Sequence, residues 1–551
     1  MNTAHFPHWP AGLPLTLTPP QTSVYANLAI SALRYPDKSA LDFYGQRMSF
    51  GQLQAEVDAL AGYLQQSCGV QRGDRVLLQM QNCPQFVIAF YAILRADAVI
   101  VPVNPMLLRD ELRHAVEDSG ATVALCAQEL LPELTPLLQT GSLGRIIVSC
   151  YADYLGEQRE GLPDWLLASR ADQVDARITC WRDALGAKQA PSSHLAGSDD
   201  LACLLYTSGT TGHPKACMHQ HRSLMFNVIS GALWAGGASA DHVTLLSLPL
   251  FHVTGMQISM NASIYTGATL IMMARWDRDQ AGRLITQHKV SSWTCIPTMM
   301  IDFLSNPRLS DYDIRSLRRV SGGGAAMPAA IAQKLLDLTG LRYMEGYGLT
   351  ETIATSHSNP LQRLKQQCLG IPIFNVDSRV IDPTNLKELP PHDVGEIIIH
   401  GPQVFAGYWG DEQKTRESFI QLDGKSFFRT GDLGYRDEEG FFFFTDRLKR
   451  MINASGYKVW PAELESMMYQ HPDVQECCII AVKDDYRGET VKAVVVKKPG
   501  SALTEDALIS WSRGQMAAYK VPRIVSFVEA LPKSATGKVQ WRQLQDAERL
   551  S

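Results

Sequence analysis

Apolar residues recur at helical spacing over 52–66, where Leu53, Val57, Leu60, Ala61 and Leu64 share one face. The run DRVLLQM at 74–80 follows with the character of a strand. The same alternation predicts a helix at 84–96, a strand at 98–103, an amphipathic helix at 109–118 and a strand at 121–127. It resumes with strands near 201–207, 243–249, 268–274 and 291–297, with helices between them. A βαβα series of this kind predicts an α/β fold, with parallel sheets covered by helices on both faces. Between about 151 and 199 the pattern weakens into polar, Gly- and Pro-containing sequence, read as a surface excursion.

From about 372 the period shortens to two. The stretch 378–401, and the pair FFRTGDLGY and GFFFFTDR around a DEEG turn, predict antiparallel hairpins and hence a small β-barrel-like unit after the two helix-covered sheets. After Lys449 a block of roughly 100 residues, the size of a small domain, mixes predicted helices (461–470, 503–514) with strands (474–483, 489–497). The expected division is a large N-terminal domain, 1–448, and a small α+β C-terminal domain, 449–551.

Composition narrows the function. The 551 residues carry 51 basic and 56 acidic side chains, a formal charge of −5, with 45% apolar and 19% charged residues. That balance argues against a protein that wraps nucleic acid, which needs a cationic excess to neutralise phosphates. The first Lys or Arg is Arg34, so the sequence reads without a secretory or mitochondrial leader. The most apolar stretch, 86–103, is broken by Arg95 and Asp97, and no transmembrane segment is expected. Eleven cysteines with no C-x-x-C pair, several in apolar runs (Cys203, Cys295, Cys477, Cys478), read as buried free thiols in a reducing cytoplasm.

The sharpest local signal is YTSGTTGHPKA at 206–216. Leaving a strand, it gathers Thr207, Ser208, Gly209, Thr210, Thr211, Gly212 and Lys215. Glycines let backbone N–H groups converge, hydroxyls add donors and the lysine adds charge, which suits a polyphosphate. It is not the G-x-x-x-x-G-K-[ST] loop, because His213 and Pro214 separate Gly212 from Lys215. On its own such a run is equally a flexible polar loop.

Further elements follow in order: SGGGAAMP at 321–328, YGLTET at 347–352, GEIIIHGPQVFAGYW at 395–409, RTGDLGY at 429–435, DRLKRMINASGYKVWPAELE at 446–465 and PKSATGK at 532–538. This ordered set resembles the acyl- and aminoacyl-adenylating superfamily: acyl-CoA synthetases, peptide-synthetase adenylation domains and beetle luciferases. The resemblance implies a carboxylic acid activated by ATP with Mg²⁺, coenzyme A as the thiol substrate, and a mobile C-terminal domain. It casts Glu351 as the Mg²⁺ ligand and Thr350 as a contact to the α-phosphate. Tyr347 and Gly348, with Gly323, Gly324 and Ala325, are cast against adenine, and Asp432 and Arg447 against ribose. Lys538 becomes the mobile catalytic cation, Lys449 the pivot and Gly456 part of the thiol path. His252, in LPLFHVTGM, falls at the mouth of the acyl pocket.

Each of these types has an ordinary use as well: a Glu in a loop is usually solvated, an Asp after Gly is a common turn residue, and a buried His or Tyr often serves only the core. His219 and His221 lack a third ligand at zinc-like spacing. Two positions depart from the family pattern: Ala216 replaces a glycine that usually closes the phosphate loop, and Arg450 replaces a usual acidic residue at the hinge.

The expected pocket, built from 252–256, 322–324 and the residues after Tyr347, offers His252, Thr254, Met256 and Thr352 and no Asp or Arg. A medium- or long-chain fatty acid is therefore the expected substrate, with an aryl acid or a carrier-protein phosphopantetheine acceptor as alternatives. A luciferase-type oxidation is disfavoured by Asn453, where that group carries an additional lysine. A binding module without catalysis is disfavoured by Lys538 and Glu351. Expected partners are the acid, ATP and coenzyme A, with no nucleic acid; a homodimer is left open.

Overall fold

The computed structural model describes residues 3–157, 159–207, 214–234, 236–454, 457–484, 488–534 and 539–550. The chain forms two compact units. One comprises Phe6–Asp377 with His400–Ser426; the other comprises Ser378–Ile399 and Phe427–Ser551 with the first five residues.

The larger unit holds two sheets. The helix Phe50–Gln66 begins at Ser49, whose Oγ accepts the Gln52 N–H at 3.2 Å while the Gln52 side chain accepts the Ser49 N–H at 2.9 Å. It buries Leu53, Val57, Leu60, Ala61 and Leu64, the face the spacing predicts. The helix Pro84–Arg95 is buried from Pro84 through Leu94, and Phe86 through Leu94 belong to the main core.

A seven-stranded sheet runs, edge to edge, through Ile178–Cys180, Arg145–Ser149, Val123–Ala127, Arg75–Gln79, Val99–Pro102, Leu201–Thr207 and Lys215–Gln220. All neighbours are parallel except the last pair, which is an antiparallel hairpin. A nine-stranded sheet has a parallel centre of Met344–Leu349, Arg319–Gly323, Ser292–Thr294, Val243–Leu246, Thr269–Met272 and Ser39–Phe43. Antiparallel strands close both of its edges.

The excursion expected over 151–199 is only partly that. Ile178–Cys180 joins the first sheet as a parallel edge strand, and Trp181 behind it is fully buried, its Nε1–H donating to the Tyr154 hydroxyl at 3.0 Å. Three residues are too short to show a period, so the strand was invisible to pattern. Strands expected at 243–249 and 291–297 stop at Leu246 and Thr294, where the chain leaves the sheet into a turn and into the helix Pro297–Leu304.

The antiparallel β unit is a five-stranded sheet of Asp377–Ile381, Gly395–His400, Phe419–Leu422, Lys425–Arg436 and Phe442–Arg447. The C-terminal block is a twisted sheet of Tyr457–Val459, Ile452–Ala454, Gly488–Lys497 and Val474–Asp484, with Ile524–Phe527 added in parallel. One face packs Leu464, Met468 and Leu508; the other packs Leu531, Trp541 and Leu544. The helices lie at Pro461–Met468, Glu505–Arg513 and Trp541–Leu550.

All eleven cysteines are free thiols, nine of them buried, and burial raises the pKa of those such as Cys203 and Cys295. Among the described residues no helix is long and apolar enough to cross a membrane.

Candidate active site

Thr207 ends one strand of a hairpin and Lys215 opens the other, facing each other in register. The segment they span is the candidate phosphate loop. Ser208, Gly209, Thr210, Thr211 and Gly212 lie outside the described residues, as do Gly456 and Lys538. Ala216 is extended, buried and at negative φ, so the missing glycine costs nothing there.

Lys215 Nζ stands 2.6 Å from Asp411 Oδ2 and 5.7 Å from the centre of the Tyr408 ring. The lysine, by its hydrogen bond, holds the Asp411 carboxyl below its ordinary pKa. The segment Phe405–Trp409 runs along the Lys215–Gln220 strand: Met218 N–H donates to Gly407 O, Ala406 N–H to Met218 O and Trp409 N–H to Ala216 O, each at 2.9 Å. Tyr408 then reaches across, and its hydroxyl donates to Glu351 Oε1 at 3.1 Å. One tyrosine thus joins the lysine after the phosphate loop to the carboxylate expected to hold Mg²⁺. Neither Tyr408 nor Asp411 was assigned a role from sequence, although GYW lies inside a quoted motif.

Thr350 and Glu351 occupy a 3-10 turn directly after the strand Met344–Leu349. The Thr350 carbonyl accepts Nε2–H of His219 at 2.7 Å, and the Glu351 carbonyl accepts the Phe405 N–H at 2.8 Å. His219 is fully buried, and burial lowers its pKa to about 4, so it is a neutral donor that fixes this turn. His221 is spent likewise, its Nδ1 accepting the Val24 N–H at 3.1 Å. Beyond the turn, Ile353 and Ala354 adopt φ of +43° and +88°, left-handed values that a β-branched residue rarely takes. Backbone strain therefore sits next to the candidate metal ligand.

Gly348 is required by packing, since a Cβ there would lie 1.5 Å from the Ala354 carbonyl oxygen. Gly322 and Gly323 are similar: a Cβ would meet Cys295 O at 1.8 Å and Gly346 O at 2.4 Å respectively. Neighbouring strands alone account for those two glycines, whereas Gly324 takes a left-handed φ of +85° and Ala325 is exposed. Tyr347 lies on the adjoining strand, its ring 5.5 Å from that of His357.

Sequence reasoning missed Glu345. Its buried carboxylate accepts the N–H groups of Met327 and Cys368, each at 3.1 Å, so it ties the loop after the glycine run to the strand that carries Tyr347. Burial raises its pKa to about 7, against the pull of those N–H donors. Below that pH the carboxyl takes a proton and its acceptor strength falls, so the loop should loosen. Glu345→Gln is expected to raise KM for ATP by roughly tenfold, the loss of about 1.4 kcal/mol from charge-assisted hydrogen bonds, with kcat within about threefold. The parent's KM for ATP should rise as pH falls through 7, while the variant's should stay flatter. Steady-state kinetics from pH 6 to 8.5 check both.

His252 lies in the turn after Val243–Leu246, and its Nδ1 accepts the Thr254 N–H at 3.3 Å. A π-helix, Thr254–Asn261, follows, a form found mostly at functional sites. Two residues expected to line the acyl pocket do otherwise. Met256 is fully buried in the main core. The Thr352 hydroxyl is used locally, donating to Ala354 O and accepting the Leu349 N–H, each at 2.9 Å.

In the other unit Asp432 and Arg447 are cross-strand partners, and Arg447 Nε lies 3.0 Å from Asp432 Oδ1. Asp432 is held by the RTGD turn, in which Glu396, a second residue missed from sequence, binds Arg429 at 2.6 Å and accepts the Gly431 N–H at 3.1 Å. Lys449 lies in the 3-10 turn Leu448–Arg450.

The family model described as AMP-binding enzyme matches residues 28–409, and the AMP-binding enzyme C-terminal domain matches 463–538. The chain belongs to the AMP-binding enzyme family. It is 34% identical over 549 residues to a long-chain-fatty-acid–CoA ligase of Bacillus subtilis (strain 168), covering 98% of this chain and 97% of the relative. It is 33% identical over 508 residues to a feruloyl-CoA synthase of an Amycolatopsis species, covering 92% and 94%. Among solved structures it resembles ATP-bound MatB from Rhodopseudomonas palustris, with a TM-score of 0.85 and 28% identity over 96% of this chain and 100% of that one.

Proposed function

We propose that this AMP-binding enzyme is an AMP-forming acid–thiol ligase that converts a medium- or long-chain fatty acid to its coenzyme A thioester. The observation that carries the reading is the Lys215–Tyr408–Glu351 arrangement, in a chain that aligns almost end to end with an acyl-CoA ligase. A carboxylate cannot expel oxide, so its oxygen attacks the α-phosphorus of ATP; a C–O–P bond forms, the α–β phosphoanhydride breaks and pyrophosphate leaves. The loop 207–215 binds the leaving phosphates, and Thr350 and Lys538 face the charge that builds on the α-phosphate. The Glu351 carboxylate is a hard oxygen donor suited to Mg²⁺, which when bound neutralises phosphate charge. Asp432 and Arg447 hold the ribose; Tyr347, Gly348 and 323–325 lie against adenine. In the second step the thiol of coenzyme A attacks the acyl carbon, the C–S bond forms, AMP departs and the thiol proton passes to solvent.

Between the steps the domain 449–551 turns about Lys449, withdrawing Lys538 and bringing the segment around Gly456 to the thiol path. We place the reaction in the cytoplasm, in keeping with eleven unpaired thiols. His252 is assigned to the mouth of the acyl pocket. The relatives' names support a fatty acid first, and the feruloyl-CoA synthase keeps aryl acids as the second reading.

A pyrophosphate-release screen tests this over saturated acids of graded length, benzoate and cinnamate types, with coenzyme A, a holo carrier protein, or neither. Turnover with fatty acids and free coenzyme A is expected. Preference for aryl acids would move the substrate class, and thioester only on the carrier would move the acceptor.

A further inference from the structure

Arg450, the residue at odds with the family pattern, does not run out to solvent; its side chain is 12% exposed. Its Nη2 donates to Glu465 Oε1 at 2.5 Å and to the Ile479 carbonyl at 3.2 Å, while Nη1 donates to Glu465 Oε2 at 3.3 Å. Glu465 Oε1 is itself fixed by the Ile479 N–H at 2.8 Å. The guanidinium also lies 5.6 Å from the centre of the Trp541 ring. Glu465 belongs to the helix Pro461–Met468, Ile479 to the strand Val474–Asp484 and Trp541 to the last helix, so one side chain grips three elements of the C-terminal block. Burial opposes its charge, but Glu465 and Asp446 outweigh that and hold its pKa above the ordinary guanidinium value.

On the other side of Lys449 stands Asp446. Asp446 Oδ2 accepts the Ala462 N–H at 2.7 Å, and its Oδ1 stands 3.9 Å from Arg450 Nη1. These are contacts that a rotation about Lys449 has to give up. The Arg450 contacts to Glu465, Ile479 and Trp541 travel with the block.

We infer that Arg450 is a positioning residue that makes Lys449 the pivot. A two-pronged Arg–carboxylate pair is geometrically specific, so it joins the first residue after Lys449 rigidly to the C-terminal block. Without it the backbone is free to turn at 450 and 451, the two residues before the strand Ile452–Ala454. The inference rests on the two-orientation reading proposed above.

The test uses the full-length protein and measures adenylation by pyrophosphate exchange and thioester formation from supplied acyl-AMP. Lys449→Pro fixes φ at the pivot and is expected to lower the ratio of thioester formation to adenylation by about tenfold or more. Adding Arg450→Met to that variant should return the ratio to within about threefold of the parent, because the turn moves to 450–451. Adding Glu465→Gln, which keeps an acceptor for the Ile479 N–H, should recover part of it and gives the answer if Arg450→Met fails to fold. Adding Arg450→Lys, which keeps the charge, should stay closer to the trapped ratio than Arg450→Met does. If Lys449→Pro traps the enzyme and neither added change relieves it, Arg450 is not the anchor. If Lys449→Pro leaves the ratio unchanged, the pivot reading fails first and the inference with it.

Discussion

Lys538→Ala is expected to lower the rate of acyl-AMP formation by roughly 10²–10³-fold, the usual size of losing one preorganised donor at developing charge. Thioester formation from supplied acyl-AMP should fall by less than about threefold, since the proposed rotation takes Lys538 away from the α-phosphate before that step. The reasoning is electrostatic. Both reactants in the first step are anions, and a cation reaching between them acts on the transition state more than on bound ATP. In the second step a neutral thioester forms as AMP leaves, and the proposed rotation takes Lys538 away. Single-turnover measurements of the two half-reactions, with circular dichroism to show an intact fold, decide it. Equal losses in both would mean that one fixed arrangement serves both steps.

Glu351→Gln should act almost as strongly on the first step, slowing it by roughly 10²-fold and moving the Mg²⁺ activation curve to higher concentration. The substitution keeps size, and an amide oxygen still accepts the Tyr408 hydroxyl that now reaches Glu351 Oε1. The turn should therefore keep its shape, fixed as it is by His219 on the Thr350 carbonyl and by the Phe405 N–H on the Glu351 carbonyl. What is lost is the negative charge. An unchanged Mg²⁺ titration would remove Glu351 from the metal site and leave it a partner of Tyr408 alone. Tyr408→Phe separates the two roles: it should alter the position of the carboxylate without removing its charge, and so change the first step by less than about tenfold.

The parallel sheets were legible because each long helix carries its own apolar face, as Phe50–Gln66 does, and each long strand is a short apolar run between polar ends. The edge strand Ile178–Cys180 was not, because three half-buried residues carry no period. The site divides along similar lines. Motif strings place Thr350, Glu351, Asp432 and Arg447, and the structure brings the last two together as neighbours on paired strands. Partners supplied by distant sequence left no local mark: Asp411 meets Lys215 across 196 residues, and Tyr408 meets Glu351 across 57. Glu345 and Glu396 hide for another reason. Each looks like an ordinary acidic residue beside a glycine, and only the backbone N–H groups folded around it show that it holds a loop in place. Composition was taken for exposure at two of the expected pocket positions, since Met256 is core and the Thr352 hydroxyl is spent within its own turn.

In the proposed first step a carboxylate oxygen bonds to the α-phosphorus of ATP. A fatty acid labelled with ¹⁸O in both carboxyl oxygens tests it in one measurement, with the enzyme, ATP, Mg²⁺ and coenzyme A, by mass spectrometry of the nucleotide and phosphate products. One labelled oxygen in AMP, unlabelled pyrophosphate and one labelled oxygen retained in the thioester are expected. Label in inorganic phosphate, with ADP as the nucleotide product, would mean an acyl phosphate intermediate and would contradict it.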